Sequence, residues 1–542
     1  MRPQDHSRRP FLWDLALLGV ALLFVGLVTY LPHMDTHLDD DDERDPWTRL
    51  TMAYVDWQRG GRDDHEYPVH VDEPMHWARM AAMQESDSLR HPSPYTGAEH
   101  DEGPLSLRGL VHEKGFYVAF AGYQEMSGIG WMDLIRLVPT LWAGLTATLL
   151  WAALHPWRGA PLAAAFVALV PTTARFLGIG FFVPIGIGLA WIAAAMVLQR
   201  VSGFDRRSLL LLLMAGAWSF FIHLIAGFAL VLLVLASLPV LVRAERRNLL
   251  LLIVGILLPL VWFYEGFRPD VQGEIDRISF LPIDFTAFDL LGIPFLIAWV
   301  LGITWMAYRP PEGAARIPMV AATIAGVVAF AFIVMNQLFD LSSYALYDRW
   351  HQPFALFATV PVAYLVVGAV GLIVIGLRRV EAKVHEEYPD MRLGPAVMAL
   401  AVVAAALIGG AVATPAVAQH LDEPYYHVIE ERDWKRFQAA RDVGDTHPVF
   451  LTHPWKAPVF AAMTGKEPVT WLIPGSPPVN GEDYVAYLRG KNSDGVWLVN
   501  KEITIIIDDV APEHPAYHEV APGVWVLDPA VAKALRDIRE MR

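Results

Sequence analysis

Long apolar runs separated by short polar breaks occupy the chain from near its start to about residue 416. The last 126 positions instead mix polar residues with short apolar patches. A helix that crosses a bilayer needs about 20 mostly apolar residues. On that length the pattern predicts eleven spans, near residues 11–31, 132–154, 159–177, 181–199, 208–222, 224–242, 249–265, 286–307, 318–339, 353–377 and 395–416. The run 208–242 is too long for one helix and is interrupted by Ser219 and His223, so it divides into two. The run 159–199 divides at Thr172, Thr173 and Arg175. Although Arg8 and Arg9 precede the first run, no small-residue cleavage site follows in Leu31-Pro32-His33-Met34. It therefore reads as an uncleaved anchor.

Orientation follows from the bias of Lys and Arg towards the cytoplasm. With the N-terminus inside, the inner segments collect Arg2, Arg8, Arg9, Arg158, Arg200, Arg206, Arg207, Arg243, Arg309, Arg316, Arg378 and Arg379. An odd number of spans then leaves residues 417–542 outside, as a small α/β domain. Its expected elements are an amphipathic Trp434–Phe437, a β-rich Pro448–Thr452, a helix over 481–490, a strand over Ile503–Ile507 and a closing helix over 529–541. The expected domains are thus 1–416, a polytopic membrane domain that includes an outer loop over 32–131, and 417–542.

Composition agrees with this class. Of 542 residues 54% are hydrophobic and 18% charged, and the mean hydropathy is +0.36; soluble domains carry roughly 25% charged residues. The absence of cysteine excludes disulfides, Cys-ligated metal centres and a thiol nucleophile. A net charge of -15 argues against a nucleic-acid partner. That charge is unevenly placed: loop 32–131 holds 20 acidic against 8 basic residues and eight of the nineteen histidines.

Within that loop, Val71-Asp72-Glu73-Pro74-Met75-His76-Trp77-Ala78-Arg79-Met80 reads as a helix start. Pro74 suits the first turn, Asp72 the N-cap and Glu73 the positive end of the dipole. Met75, Ala78, Arg79 and Ala82 then share one face. If the helix reaches back to Asp72, that residue and His76 project together. Such a pair can hold a metal, or the histidine can orient the carboxylate; a capped helix with an incidental surface histidine fits the spacing equally well.

An Asp-Glu helix in a first outer loop resembles the GT-C class of polytopic glycosyltransferases. This class includes protein O-mannosyltransferases, aminoarabinose transferases and the catalytic subunit of oligosaccharyltransferase. The likeness continues through Pro92–Gly97, the amphipathic His112-Glu113-Lys114-Gly115-Phe116-Tyr117, Gln124, Ser127-Gly128-Ile129 and Arg136-Leu137-Val138-Pro139. It extends to Pro171–Arg175, to His223, to Asp348-Arg349-Trp350, and to Leu451–Lys456 with Ala461–Lys466 as the strand–helix opening of an outer domain. The chain departs from the pattern in having Glu113-Lys114 where a proline pair is usual. It also lacks an acidic residue in Gly180–Pro184, where oligosaccharyltransferases supply a metal ligand.

The resemblance implies transfer of a sugar from a polyprenyl-phosphate donor to a glycan, lipid or protein acceptor on the outer face of the cell membrane. It implies Asp72 and Glu73 as catalytic carboxylates and Arg349 as the donor-phosphate clamp, with Arg175 and Lys114 secondary. His76, His223 and Arg136 support them. A divalent Mg or Mn, if used, falls to Asp72 and His76. Arg349 also suits an interfacial arginine reaching lipid headgroups, and His223 a polar helix end satisfied by a neighbouring span. Two other classes remain: a non-catalytic assembly protein on a GT-C-like body, and, less favoured, a transporter, which would use charges inside the spans where almost none lies beyond Asp14.

Overall fold

The computed structural model describes residues 11–30, 72–85, 114–172, 178–202, 205–241, 245–247, 286–339, 347–387, 394–422, 429–443, 447, 449–470, 481–489 and 496–540. They fall into two compact units. One comprises residues 1–63, 136–265 and 283–424, the other 64–135, 266–282 and 425–542.

The first unit is helical. In chain order it holds α1 (Phe11–Tyr30), most of α4 (Trp131–Leu154), α5 (Ala160–Ala165, continued by a 3-10 turn Phe166–Leu169) and α6 (Pro184–Ser202). Then come α7 (Arg206–Ile222), α8 (Leu224–Leu235), α9 (Ala287–Tyr308), α10 (Arg316–Phe339), α11 (His351–Glu387) and α12 (Gly394–Asp422). Among the described residues, α1, α4, α6, α9, α10, α11 and α12 are long and apolar enough to cross a membrane. Their exposed large side chains include Leu141, Val300, Leu372 and Leu407, so apolar residues cover the outer faces as well as the core. A helix apolar all round suits a lipid environment.

One predicted span differs from this picture, two appear as the expected pair of shorter helices, and a fourth lies elsewhere. The helix expected over 159–177 ends at Leu169, because Val170 turns extended ahead of Pro171 and the residue before a proline avoids the α conformation. The run 208–242 breaks at His223, whose φ of -160° and ψ of 129° separate two shorter apolar helices. Gly227 makes their close packing possible, since a Cβ there would lie 2.3 Å from the Phe220 ring. Residues 249–265 lie outside the described residues.

The longer helices pack through small residues. Gly302 of α9 faces the backbone of α11, where a Cβ would stand 2.1 Å from the Pro361 carbonyl oxygen. Near its start α9 is kinked at Gly292 (φ 77°, ψ 155°), and Pro415 of α12 fills the space a side chain would need. Asp14 in α1 has an ion-pair partner, His155, at 4.0 Å.

The second unit joins α2 (Asp72–Glu85), α3 (Lys114–Ser127) and the start of α4 to the C-terminal α/β domain. That domain contains α13 (Glu431–Arg441), β1 (Val449–Thr452), α14 (Ala457–Thr464), β2 (Glu467–Pro468), α15 (Gly481–Leu488) and α16 (Val496–Asn500). It closes with β3 (Ile505–Ile507), β4 (Tyr517–Ala521), β5 (Val524–Leu527) and α17 (Pro529–Glu540). The sheet order is β2-β1-β3-β5-β4, parallel across the first three strands and antiparallel beyond. Leu451, Tyr487, Leu498, Ile506 and Leu527 form one core on it. Helix α2 packs both on α3 and on α14.

Candidate functional site

Helix α2 begins at Asp72, so Asp72 and His76 are four apart on one helix and share a face of it. Glu73 is fully buried, and His76, Trp77, Ala78 and Met80 are buried behind it. The side chains of Asp72, Met75 and Ala82 lie outside the described residues.

The buried side of α2 is tied to α3 by a polar pair set in an aromatic cluster. Arg79 donates to the Tyr117 hydroxyl at 2.6 Å, and the same hydroxyl stands 3.1 Å from His76 Nδ1. The Arg79 cation also lies over the Tyr117 ring, 5.6 Å from its centre. A cation donating to Oη polarises the O–H, which favours its proton turning to the imidazole. The imidazole edge packs against Phe116 at 5.4 Å. One turn on, Gln84 donates to the Ala121 carbonyl at 3.0 Å and to Gln124 Oε1 at 2.7 Å. These contacts fix the rotation of α2 against α3.

The other predicted residues are spread over both units. Lys114 is the first residue of α3, but its side chain lies outside the described residues, as does all of Arg175. Arg136 is half-buried in the second turn of α4. His223 is buried at the α7–α8 break. Arg349, half-buried, lies in a short 3-10 turn, Tyr347–Trp350, that leads into α11. The turn is anchored by Trp350, which stacks on Phe332 at 5.4 Å. Asp72, Glu73, His76 and Lys114 therefore belong to one unit, and Arg136, His223 and Arg349 to the other.

A metal held by Asp72 and His76 would have to use Nε2 of the histidine, because Nδ1 faces Tyr117. Among the described residues no group of three or more His, Asp or Glu is placed to hold a metal ion. The stretch 178–184 is apolar and packed inward. Ile179, Phe181, Phe182 and Val183 are buried there, and the Gly180 N–H is held by Thr172 Oγ1 at 3.1 Å.

A second polar cluster lies where the carboxyl ends of β1 and β3 meet, a position where open α/β sheets commonly bind ligands. His453 follows β1 and packs edge-on against Tyr484 at 5.6 Å. The Tyr484 hydroxyl donates to Asp508, just after β3, at 2.5 Å. Lys456 reaches the buried Asp433 of α13 at 2.6 Å, and Arg436 pairs with Asp509. Burial lowers the His453 pKa first and the Lys456 cation lowers it further, while Asp508 and Asp433 pull it back up. Burial and the Asp508 carboxylate push Tyr484 far above its ordinary value. The strand–helix pattern over 451–466 marks this region in the sequence, whereas the involvement of Asp508 depends on the pairing of β1 with β3. Similarly, His76 and Arg79 are three apart and visibly share a face, but nothing local names Tyr117 as their partner.

No family model and no curated protein matches the chain. Solved structures do. The oligosaccharyltransferase of Archaeoglobus fulgidus in its apo form aligns over 92% of this chain and 70% of its own, with a TM-score of 0.54 at 12% identity. Two further structures from that organism align over 92% of this chain and 69% of theirs, with a TM-score of 0.53 at 13% identity. One is the enzyme tethered to an acceptor peptide containing the NVT sequon. The other is the oligosaccharyltransferase in complex with an inhibitory peptide and a dolichol-phosphate. The chain thus shares its fold with an oligosaccharyltransferase, one of the group of enzymes that its motifs resemble.

Proposed function

We propose that the chain is a membrane glycosyltransferase that moves a sugar from a polyprenyl-phosphate donor to a glycan, lipid or protein acceptor outside the cell. The supporting observation is the fold shared with an oligosaccharyltransferase over nearly the whole chain, together with an acidic helix whose orientation is set by buried contacts. One of the related structures is a complex with a dolichol-phosphate, and another is tethered to an acceptor peptide. Those ligand classes favour a lipid-linked donor and, among acceptors, a peptide.

The chemistry is an inverting displacement at the anomeric carbon. The acceptor atom forms its bond to that carbon as the bond to the donor phosphate breaks. The acceptor proton passes to a carboxylate, and the polyprenyl phosphate departs with the electron pair. Asp72 is the base in this reading. Glu73, fully buried beside it, positions the helix end. Arg349 stabilises the leaving phosphate through bidentate hydrogen bonds, with Arg175 and Lys114 contributing charge. His76, His223 and Arg136 hold the surrounding elements in place. A hard divalent cation such as Mg or Mn would take carboxylate oxygen from Asp72 and supply Lewis-acid stabilisation of the leaving phosphate. Residues 417–542 form the outer domain in this reading.

Transfer from a labelled lipid-linked sugar in membranes tests this reading. Asp72→Asn is expected to lower the rate at least about 100-fold, the low end of a general base's contribution, and Arg349→Ala to lower it comparably. Full activity in Asp72→Asn would remove the base assignment. The apolar character of Gly180–Pro184 favours one second reading, a non-catalytic assembly protein. Unchanged surface glycans in cells lacking the gene would select it.

A further inference from the structure

One cavity in the helical unit contains none of the residues assigned to the candidate site. It has a volume of about 240 Å³ and lies between α9 and α11, far more than the roughly 10–15 Å³ that admits one water. Trp305 and Arg309 at the end of α9 form one side, Tyr364 and two glycines of α11 the other, and Trp157 closes it. Trp157 stacks on Tyr364 at 5.7 Å, and the Tyr364 hydroxyl donates to the Arg309 carbonyl at 2.6 Å. The wall along α11 then becomes purely apolar at Leu372 and Ile375.

Glycine shapes this space in two ways. At Gly368 a Cβ would press on the Trp305 indole nitrogen at 2.7 Å, so glycine lets the tryptophan lie flat on α11. At Gly371 a Cβ would meet nothing within 4 Å, so that position opens onto the cavity. The cation at the mouth is available. Arg309 is exposed, and its guanidinium lies 5.6 Å from the Trp305 ring centre.

The position is that of a membrane boundary. Helix α9 is 22 residues long and apolar to its end at Tyr308, and Arg309 is the first charge after it. Aromatic residues gather at such boundaries, and basic pockets between spanning helices bind anionic lipid headgroups. We propose that this cavity is a binding site for one anionic phospholipid of the surrounding bilayer. The phosphate sits on the Arg309 guanidinium, the glycerol region lies against Trp157 and Tyr364, and an acyl chain runs along Leu372 and Ile375. Guanidinium matches a phosphodiester by paired hydrogen bonds, which a zwitterionic headgroup weakens by bringing its own ammonium.

The test uses the full chain, purified in detergent, stripped of lipid, and offered phosphatidylglycerol or phosphatidylcholine before native mass spectrometry. Wild-type protein is expected to retain phosphatidylglycerol about tenfold better, the scale of one charge-assisted contact. Arg309→Gln is expected to erase that preference and Arg309→Lys to restore part of it. Gly371→Leu, which fills the cavity and leaves the cation in place, is expected to lower retention of both lipids. Equal retention of the two lipids by the wild type overturns the proposal, whatever the variants do. So does unchanged phosphatidylglycerol retention in a monodisperse Gly371→Leu protein.

Discussion

Tyr117 shows how one hydroxyl can decide the orientation of a helix. It takes the Arg79 hydrogen bond and meets His76 Nδ1 while itself buried, so removing it takes one buried polar contact from each of two side chains of α2. Tyr117→Phe is expected to cost about 1–3 kcal/mol, measured by unfolding in detergent, and to lower transfer activity because Asp72 lies at the end of the same helix. An unchanged midpoint would show that the hydroxyl holds nothing. His453 yields a pH effect. Its pKa in the folded chain lies below the ordinary value of 6.5, so between those two values the unfolded chain binds the extra proton. Stability contributed by the neutral imidazole is therefore complete above pH 6.5 and is lost as the pH falls through the window below it. Thermal unfolding of wild type against His453→Gln from pH 7.5 to 5 should show the steeper loss in the wild type. Parallel curves would show that the surroundings of His453 do not disfavour its protonation. Asp72 and His76 were legible as a pair because helix spacing relates them, whereas Arg79 was read onto the face of Met75, Ala78 and Ala82. Tyr117 was not legible, because it lies 41 positions from His76 and only tertiary packing brings it there.

Among elements, the spanning helices were the most legible part of the chain, since length and apolar composition are local properties. The exceptions have physical causes. The third expected span stops at Leu169 because of Pro171, a signal that was in the sequence. The hairpin β4–β5 turns through Pro522-Gly523, with Gly523 at φ 74°, and a proline–glycine pair between β-rich runs is a readable turn. Strand β2, two residues long, carries no periodicity and exists only by pairing with β1. What composition does not reveal is which glycines hold helices together. Gly302 and Gly376 both lie in apolar helices, yet a side chain at the first would strike the Pro361 carbonyl while one at the second meets nothing within 4 Å. Gly302→Leu is expected to destabilise the purified protein by about 1–3 kcal/mol through overpacking, and Gly376→Leu to leave it within about 0.5 kcal/mol. Equal melting curves for the two variants would show that α9 and α11 do not approach through Gly302.

On the scale of the whole molecule, the packing of α2 on α14 constrains topology. Residues 64–135, which follow α1, and residues 425–542, which follow α12, belong to one compact unit, so they lie on one side of a bilayer. An even number of crossings must then separate them. The eleven-span reading meets that parity with ten crossings after the first, and a reading with one span more or fewer in that interval does not. The strongly acidic loop and the arginines at the opposite helix ends are then two expressions of one arrangement, because basic residues concentrate on the cytoplasmic side. The lack of native cysteine makes the arrangement directly measurable, since each introduced thiol reports alone. Asp442→Cys and His518→Cys, both exposed in the outer domain, are expected to react with a membrane-impermeant maleimide on intact cells. Glu312→Cys after α9 and Arg379→Cys near the end of α11, both also exposed, are expected to react only after permeabilisation. Labelling of residues 379 and 442 from the same side would remove the crossing assigned to α12, and with it the placement of the α/β domain outside.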